Sequence, residues 1–364
     1  MEEGATTRRF ELLCVFMLSF GQLCIMTGYD SQAFILESVI HSIHEREPET
    51  ISIHSGYYGQ AVCYLTYVFA CFISPSFLYA TSAKTTLLVS AICFTSFHFG
   101  FFFTNTYYYY LSSAVSGIGF ALYYTGNGDY MTSHSTRQTI GSNVSMSWGL
   151  SCCCMMIGAV IMAVITSLTA TGVEIGSQRS FSDGEIYLLF SAFAAISMIA
   201  VITFILIPSK DVSNCIESSE KRVEFMQGIR LMKKALMSPK MFRLAPSFLL
   251  CGIHTSFWIS VYPTSLMFNA HNAAMIYLPA IYCFAVGLGE TLMGLVISTM
   301  SKRIEDFGLR PTMLIGCCST ILYCLLALLT TPFNATTTPT TLEPLFLSTN
   351  TNLSVHCWFD WWHQ

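Results

Sequence analysis

The chain has 364 residues, of which 53% are hydrophobic, 14% aromatic and only 10% charged. A soluble domain carries about a quarter charged residues, so this composition excludes a soluble globular fold. The net charge of -4 says little about partners, because its distribution matters more than its sum; nothing reads as a nucleic-acid surface, and the fifteen cysteines contain no CxxC pair that would suggest a zinc or redox motif.

Nine apolar runs follow, at about 10–36, 56–78, 85–104, 109–131, 143–170, 185–207, 244–268, 275–299 and 311–330. Each is long enough to cross a ~30 Å hydrocarbon core as a helix. The fold class read from them is an all-α polytopic membrane protein. With the N-terminus in the cytoplasm, fifteen of the seventeen Lys and Arg residues fall on the inner side, leaving only Arg46 and Arg179 outside. The first run is too long for a signal-peptide core and reads as a retained anchor.

Helix one carries Asp30 and Glu37, seven residues apart. Seven steps of roughly 100° return to nearly the same azimuth, about 10 Å further along the axis. Two readings stand: both acids meet headgroups and water near the span end, or they form a proton- or cation-coupling pair. His98 in helix three and His254 in helix seven read as interhelical hydrogen-bond residues.

Helix four holds the densest pattern. Gly117, Ala121, Thr125 and Gly128 share one face, a small-residue ridge that admits a neighbouring helix closely. Asn127 and Asp129 are two steps apart and point nearly opposite ways on a regular helix. Asn127 is expected to face inward and Asp129 to mark the inner boundary beside Arg137. Cys152, Cys153 and Cys154 in helix five read as small packing residues, and the sequon Asn143-Val-Ser145 as accidental.

The longest polar connection, 209–243, carries eight basic residues. Within it Val223–Leu236 has an amphipathic pattern, which fits either a helix resting on anionic headgroups or a solvated linker. Pro75, Pro263 and Pro279 mark kinks or span ends. In helix eight, Glu290 sits within Gly287-Leu-Gly289-Glu290-Thr291, with apolar residues on both sides and no basic neighbour in sequence. Such a carboxyl is either neutral or faces a polar cavity. It is the best single candidate for an essential buried acid, with a structural hydrogen bond as the competing reading.

After helix nine the chain becomes rich in Thr, Pro and Asn, a composition that builds no core. Sequons at Asn334 and Asn352 are expected to be glycosylated there, on the outer or lumenal side. The domain reading is therefore 1–208, an N-terminal six-helix bundle; 209–243, a cytoplasmic linker; 244–330, a partial second bundle of about three helices; and 331–364, an extracellular or lumenal tail. No phosphate loop, metal-ligand spacing or nucleophile motif is present, so neither an enzyme nor a metal or cofactor is expected.

Gly28-Tyr29-Asp30-Ser31-Gln32, the stretch Gly117–Thr132 and the stretch Gly287–Gly294 together resemble the UNC-93-like, ion-channel regulatory family of the major facilitator superfamily, in its MFSD11-like subgroup. The resemblance covers about residues 8–330. It implies a facilitator fold of two pseudo-symmetric six-helix bundles, so three helices expected after helix nine are absent and the chain reads as truncated there. Tyr79–Thr85 departs from the facilitator pattern by holding only Lys84, whereas Ser301–Pro311 keeps Lys302, Arg303, Asp306, Gly308 and Arg310. The expected role is a non-enzymatic regulator or escort, with the bilayer and a potassium channel or other membrane protein as partners. A secondary transporter of a small solute, proton-coupled through Glu290 or Asp30, ranks second, and an inactive truncated product third. The plasma membrane and endomembranes fit equally.

Overall fold

The computed structural model describes residues 2–344, apart from 104, 170–178, 213, 217–224, 273–274, 301–302, 305–306 and 308–309. Its helices are α1 (Glu2–Arg46), α2 (Ser55–Ala80), α3 (Ala83–Phe99), α4 (Thr106–Ser133), α5 (Ile140–Ser151), α6 (Cys153–Thr169), α7 (Asp183–Leu206), α8 (Phe225–Leu236), α9 (Pro239–Ser256), α10 (Tyr262–Met267), α11 (Leu278–Met300) and α12 (Arg310–Thr330). Among the described residues the pairing of strands is limited to an isolated bridge between Asn269 and Thr340. The protein is an all-α, multi-pass membrane protein. Among the described residues, eight helical segments are long and apolar enough to cross a bilayer. α4 also forms over its expected span but is more polar, with Tyr107–Tyr110 and several Ser and Gly residues. It lies between α2 and α3, which cover much of its surface.

Local chemistry fixes several helix starts. The hydroxyl of Ser82 accepts from the Thr85 amide, Asn105 from the Tyr107 and Tyr108 amides, and Ser182 from the Glu185 amide. Each satisfies amides that have no partner within the helix. Two expected spans are interrupted. The fifth breaks at Cys152 into α5 and α6. The seventh is α9, a π turn at Phe257–Val261, then α10, with Pro263 just past the turn. Proline lacks the amide that a continuous helix would use there.

α1 is the main departure from the hydropathy reading. It runs ten residues past the expected end, because Glu37, Ser38, His41 and Ser42 are polar yet buried in protein, not in headgroups. At 1.5 Å per residue its 45 residues span about 67 Å. It packs on α2, α3, α5, α6, α7, α10 and α11, so it is the axis of the fold. Around Phe120 on α4, Tyr29 and Phe94 make edge-to-face contacts at 4.7 and 4.8 Å, the favoured geometry for aromatic pairs. The later helices join the earlier group chiefly through α11 on α6 and Phe34 on Tyr282, at 5.3 Å.

α9 buries none of its residues, and Phe242, Phe248 and Leu249 on it are 81, 61 and 66% exposed. Apolar side chains exposed on a spanning helix are the expected lipid-facing surface.

Candidate functional site

Three helices meet closely at mid-bundle. Gly158 on α6 leaves no room for a side chain against Ser31 of α1, since a Cβ there would fall 1.6 Å from the Ser31 hydroxyl. Gly287 on α11 is pressed against Met155 and Met156 of α6 in the same way, with atoms at 2.9 and 3.0 Å. These two glycines let α1, α6 and α11 approach at backbone distance, as small residues do between membrane helices.

That junction carries Asp30 from α1 and Glu290 from α11. Each is half-buried, and the two carboxyl groups lie within electrostatic range of one another. Asp30 also receives the Cys154 thiol at 3.9 Å and lies close to the Tyr64 and Tyr124 side chains of α2 and α4. The Cys283 thiol donates to the Met155 carbonyl at 3.2 Å and lies 4.0 Å from the Ser31 hydroxyl. The Lys and Arg residues of the described spanning helices sit toward helix ends, and none of them acts on either acid. The structure thus places within electrostatic range two acids that are 260 residues apart in sequence.

It does not bring Asp30 and Glu37 together. Glu37 is 2% exposed and accepts from the Tyr57 amide at 2.9 Å, serving as a cap for α2 from another helix. His54 completes the cluster at 3.3 Å. The expected placement of Glu37 in headgroups or water is therefore corrected: the acid is inside the protein, because the first turn of α2 offers free amides.

On α4, Gly117 lies against the α2 backbone, with a Cβ there meeting the Cys63 carbonyl at 2.1 Å. Ala121 is 1% exposed, and the Thr125 hydroxyl pairs with that of Ser74 at 2.8 Å. Gly128 faces open space, so the ridge stops one turn before its expected end. Asn127 buries its side-chain oxygen without a hydrogen-bond partner among the described residues, and Asp129 is half-buried near the basic end. His98 differs from expectation: both ring nitrogens are buried and lack partners among the described residues. Asn334 is exposed, whereas Asn352 lies outside the described residues. No group of three or more His, Cys, Asp or Glu side chains among the described residues is placed to hold a metal.

Two polar clusters escaped the sequence reading. At the basic end, Glu11 is 2% exposed and binds Arg8 at 2.8 Å, the Asn143 amide at 2.7 Å and the Thr139 hydroxyl. Asn143 is fully buried in this network, which occupies its side chain fully. Nearby, burial pushes the His134 imidazole below its usual range, and its ring stacks on Tyr130 at 3.8 Å. At the opposite end, Arg179 and Glu185 form a buried pair at 2.6 Å, supported by the Thr166 hydroxyl. Only the pairing partner, read across the fold, distinguishes these residues from ordinary helix-end charges.

A bundle of spanning helices held together by close glycine contacts defines an all-α, multi-pass membrane protein. In its fold it is similar to a crystal structure of a D-xylose-proton symporter, with a TM-score of 0.52 over 79% of this chain and 68% of that one, at 14% identity. The model of the UNC-93 family, described as ion channel regulatory protein UNC-93, matches residues 47–359, and the chain belongs to that family. It is 24% identical to the UNC93-like protein MFSD11 of Xenopus tropicalis over 326 residues, covering 84% of this chain and 69% of that protein. The Xenopus laevis counterpart is 23% identical over the same shares. A bovine unc-93 homolog A is 26% identical over 118 residues, 32% of this chain and 24% of that one.

Proposed function

We propose that the chain is a secondary transporter that moves a small solute in step with protons taken up at Asp30 and Glu290. The observation that supports this reading is the placement of those two carboxyls, from α1 and α11, within electrostatic range of each other, with no basic group acting on Asp30 among the described residues. Ionisable groups inside a membrane are costly and are kept for ion or proton pathways. Two ionised carboxylates repel across the α1–α11 junction, and a proton bound there removes the repulsion. Proton binding would thereby change the favoured separation of the helices that carry the pair, which is the coupling a carrier needs.

The test is uptake by protein reconstituted in vesicles under an inward proton gradient, across a panel of small solutes. Accumulation should collapse with a protonophore and in Glu290→Gln and Asp30→Asn. Uptake that persists unchanged in both variants would sink the coupling.

The second reading is a regulator or escort of ion channels or other membrane proteins, favoured by the description of the family. It is separated from the first by affinity purification from native membranes. Recovery of a potassium-channel or receptor subunit, with no uptake by the reconstituted chain, would favour it. Neither reading assigns an enzyme activity. The charge distribution supports a cytoplasmic N-terminus and a linker on the same side, with the helices before and after that linker acting as two bundles. Asn334 is then on the glycosylation-competent side.

A further inference from the structure

α8 carries Arg230, Lys233 and Lys234 and no acidic residue. At 100° per residue Ile229, Met232 and Leu236 fall on one stripe, Lys233 flanks it, and Gln227, Arg230 and Lys234 lie toward the opposite side. α8 touches α2, but its apolar stripe is only partly covered: Ile229 is 38% and Leu236 52% exposed. Met237 and Phe242 continue this apolar exposure at 78 and 81%, and Lys240 and Arg243 continue the positive charge.

The chain is held at this level from both sides. Before α8, the Val212 amide donates to the Ser133 carbonyl at 3.1 Å and the Ile216 amide to the Ser135 carbonyl at 3.0 Å, beyond the C-terminal end of α4. After α8, the Ser238 side chain accepts from the Met241 amide at 3.2 Å and starts α9 two residues beyond Leu236. α9 is a candidate membrane span, so α8 sits where that helix enters the bilayer. An exposed apolar stripe beside cations, at that depth and with no acid within α8 itself, complements a negatively charged membrane surface.

We propose that α8 and the first turn of α9 form a docking surface for anionic phospholipid headgroups. Met232 and Leu236 enter the acyl boundary, Lys233 and Lys240 meet the phosphates, and Arg230 and Lys234 on the far side of α8 add to the attraction toward the charged surface. The proposal does not rest on the transport reading. Each cation near such a surface adds about fivefold to its partitioning, so removing three weakens it on the order of a hundredfold.

The test uses the full chain in lipid nanodiscs, spin-labelled at Met232→Cys after replacement of the exposed cysteines by serine. Collision with oxygen against a water-soluble nickel chelate reports the depth of the label. In discs with about 30% phosphatidylserine the label should be membrane-buried. It should move to water in phosphatidylcholine discs, in about 0.5 M salt, and in the triple variant Arg230→Gln, Lys233→Gln, Lys234→Gln. A label in water in both lipids overturns the proposal. So does a label equally buried in both lipids, because the cover is then protein or uncharged lipid. The lipid comparison keeps the test decisive if the triple variant misfolds.

Discussion

Arg46 and Arg179 are the two basic residues that break the charge asymmetry of the sequence, and both bind acids in the first turn of α7. Asp183 holds Arg46 at 2.7 Å on the surface, where an ion pair contributes little. The Arg179–Glu185 pair is different, with side chains only 3 and 2% exposed. Removing one member leaves a buried charge without its counter-ion, which costs about 3–5 kcal/mol. Arg179→Ala should therefore lower the thermal unfolding midpoint in detergent sharply, while Arg46→Ala leaves it nearly unchanged. Replacing both Arg179 and Glu185 by apolar residues should recover much of the loss, because the stranded charge is gone as well. Equal midpoints for Arg179→Ala and Arg46→Ala would show that burial does not govern the pair. Nothing in the local sequence separates the two arginines; the distinction comes from what α7 and the residues before it cover.

Helices are where the sequence is most legible, because length, hydropathy and capping residues are local properties. The nine expected runs correspond to helical segments, and the amphipathic stretch before α9 appears as α8 over its described residues. The main departure lies where neighbours override composition: α1 continues through polar residues because other helices shelter them. The small-residue ridge on α4 shows the same limit. Periodicity places Gly117 and Gly128 on one face, but only Gly117 meets α2. Near the far end of the ridge Pro75 interrupts the hydrogen-bond ladder of α2, just beyond the Ser74–Thr125 contact. Gly117→Ala drives a methyl group into the Cys63 carbonyl and should destabilise the protein by about 1–3 kcal/mol, the usual cost of overpacking. Gly128→Ala meets nothing within 4 Å and should be neutral or stabilising by up to about 1 kcal/mol through helix propensity. Equal unfolding midpoints for the two variants would contradict the packing described here.

At the scale of the molecule, the end opposite the basic face is held shut by bonds between chain segments that are far apart in sequence. The Tyr57 hydroxyl donates to the Thr336 carbonyl at 2.7 Å, and the Arg179 amide to the Met267 carbonyl at 3.1 Å. The Thr340 amide donates to Phe268 at 2.9 Å, and the Ala270 amide to Thr340 at 3.0 Å. His41 of α1 lies edge-on to Phe268 at 4.9 Å. None of this was legible beforehand, since a Thr- and Asn-rich segment reads only as a solvated tail. The same limit applies to the acids: Asp30 and Glu290 each stand out in the sequence, but periodicity relates residues on one helix and says nothing about a partner 260 positions away. Glu37 links the first turn of α2 to α1, so Tyr57 transmits that anchoring to residues 333–340. Tyr57→Phe removes one hydrogen bond worth about 1 kcal/mol. If opening at this end needs that bond to break, amide hydrogen exchange at Ala270 and Thr340 should accelerate about fivefold in the variant. Amides on α3 and α7 should keep their protection. Acceleration throughout the bundle would mean instead that Tyr57 supports global stability, and unchanged exchange would mean that this end opens by another route.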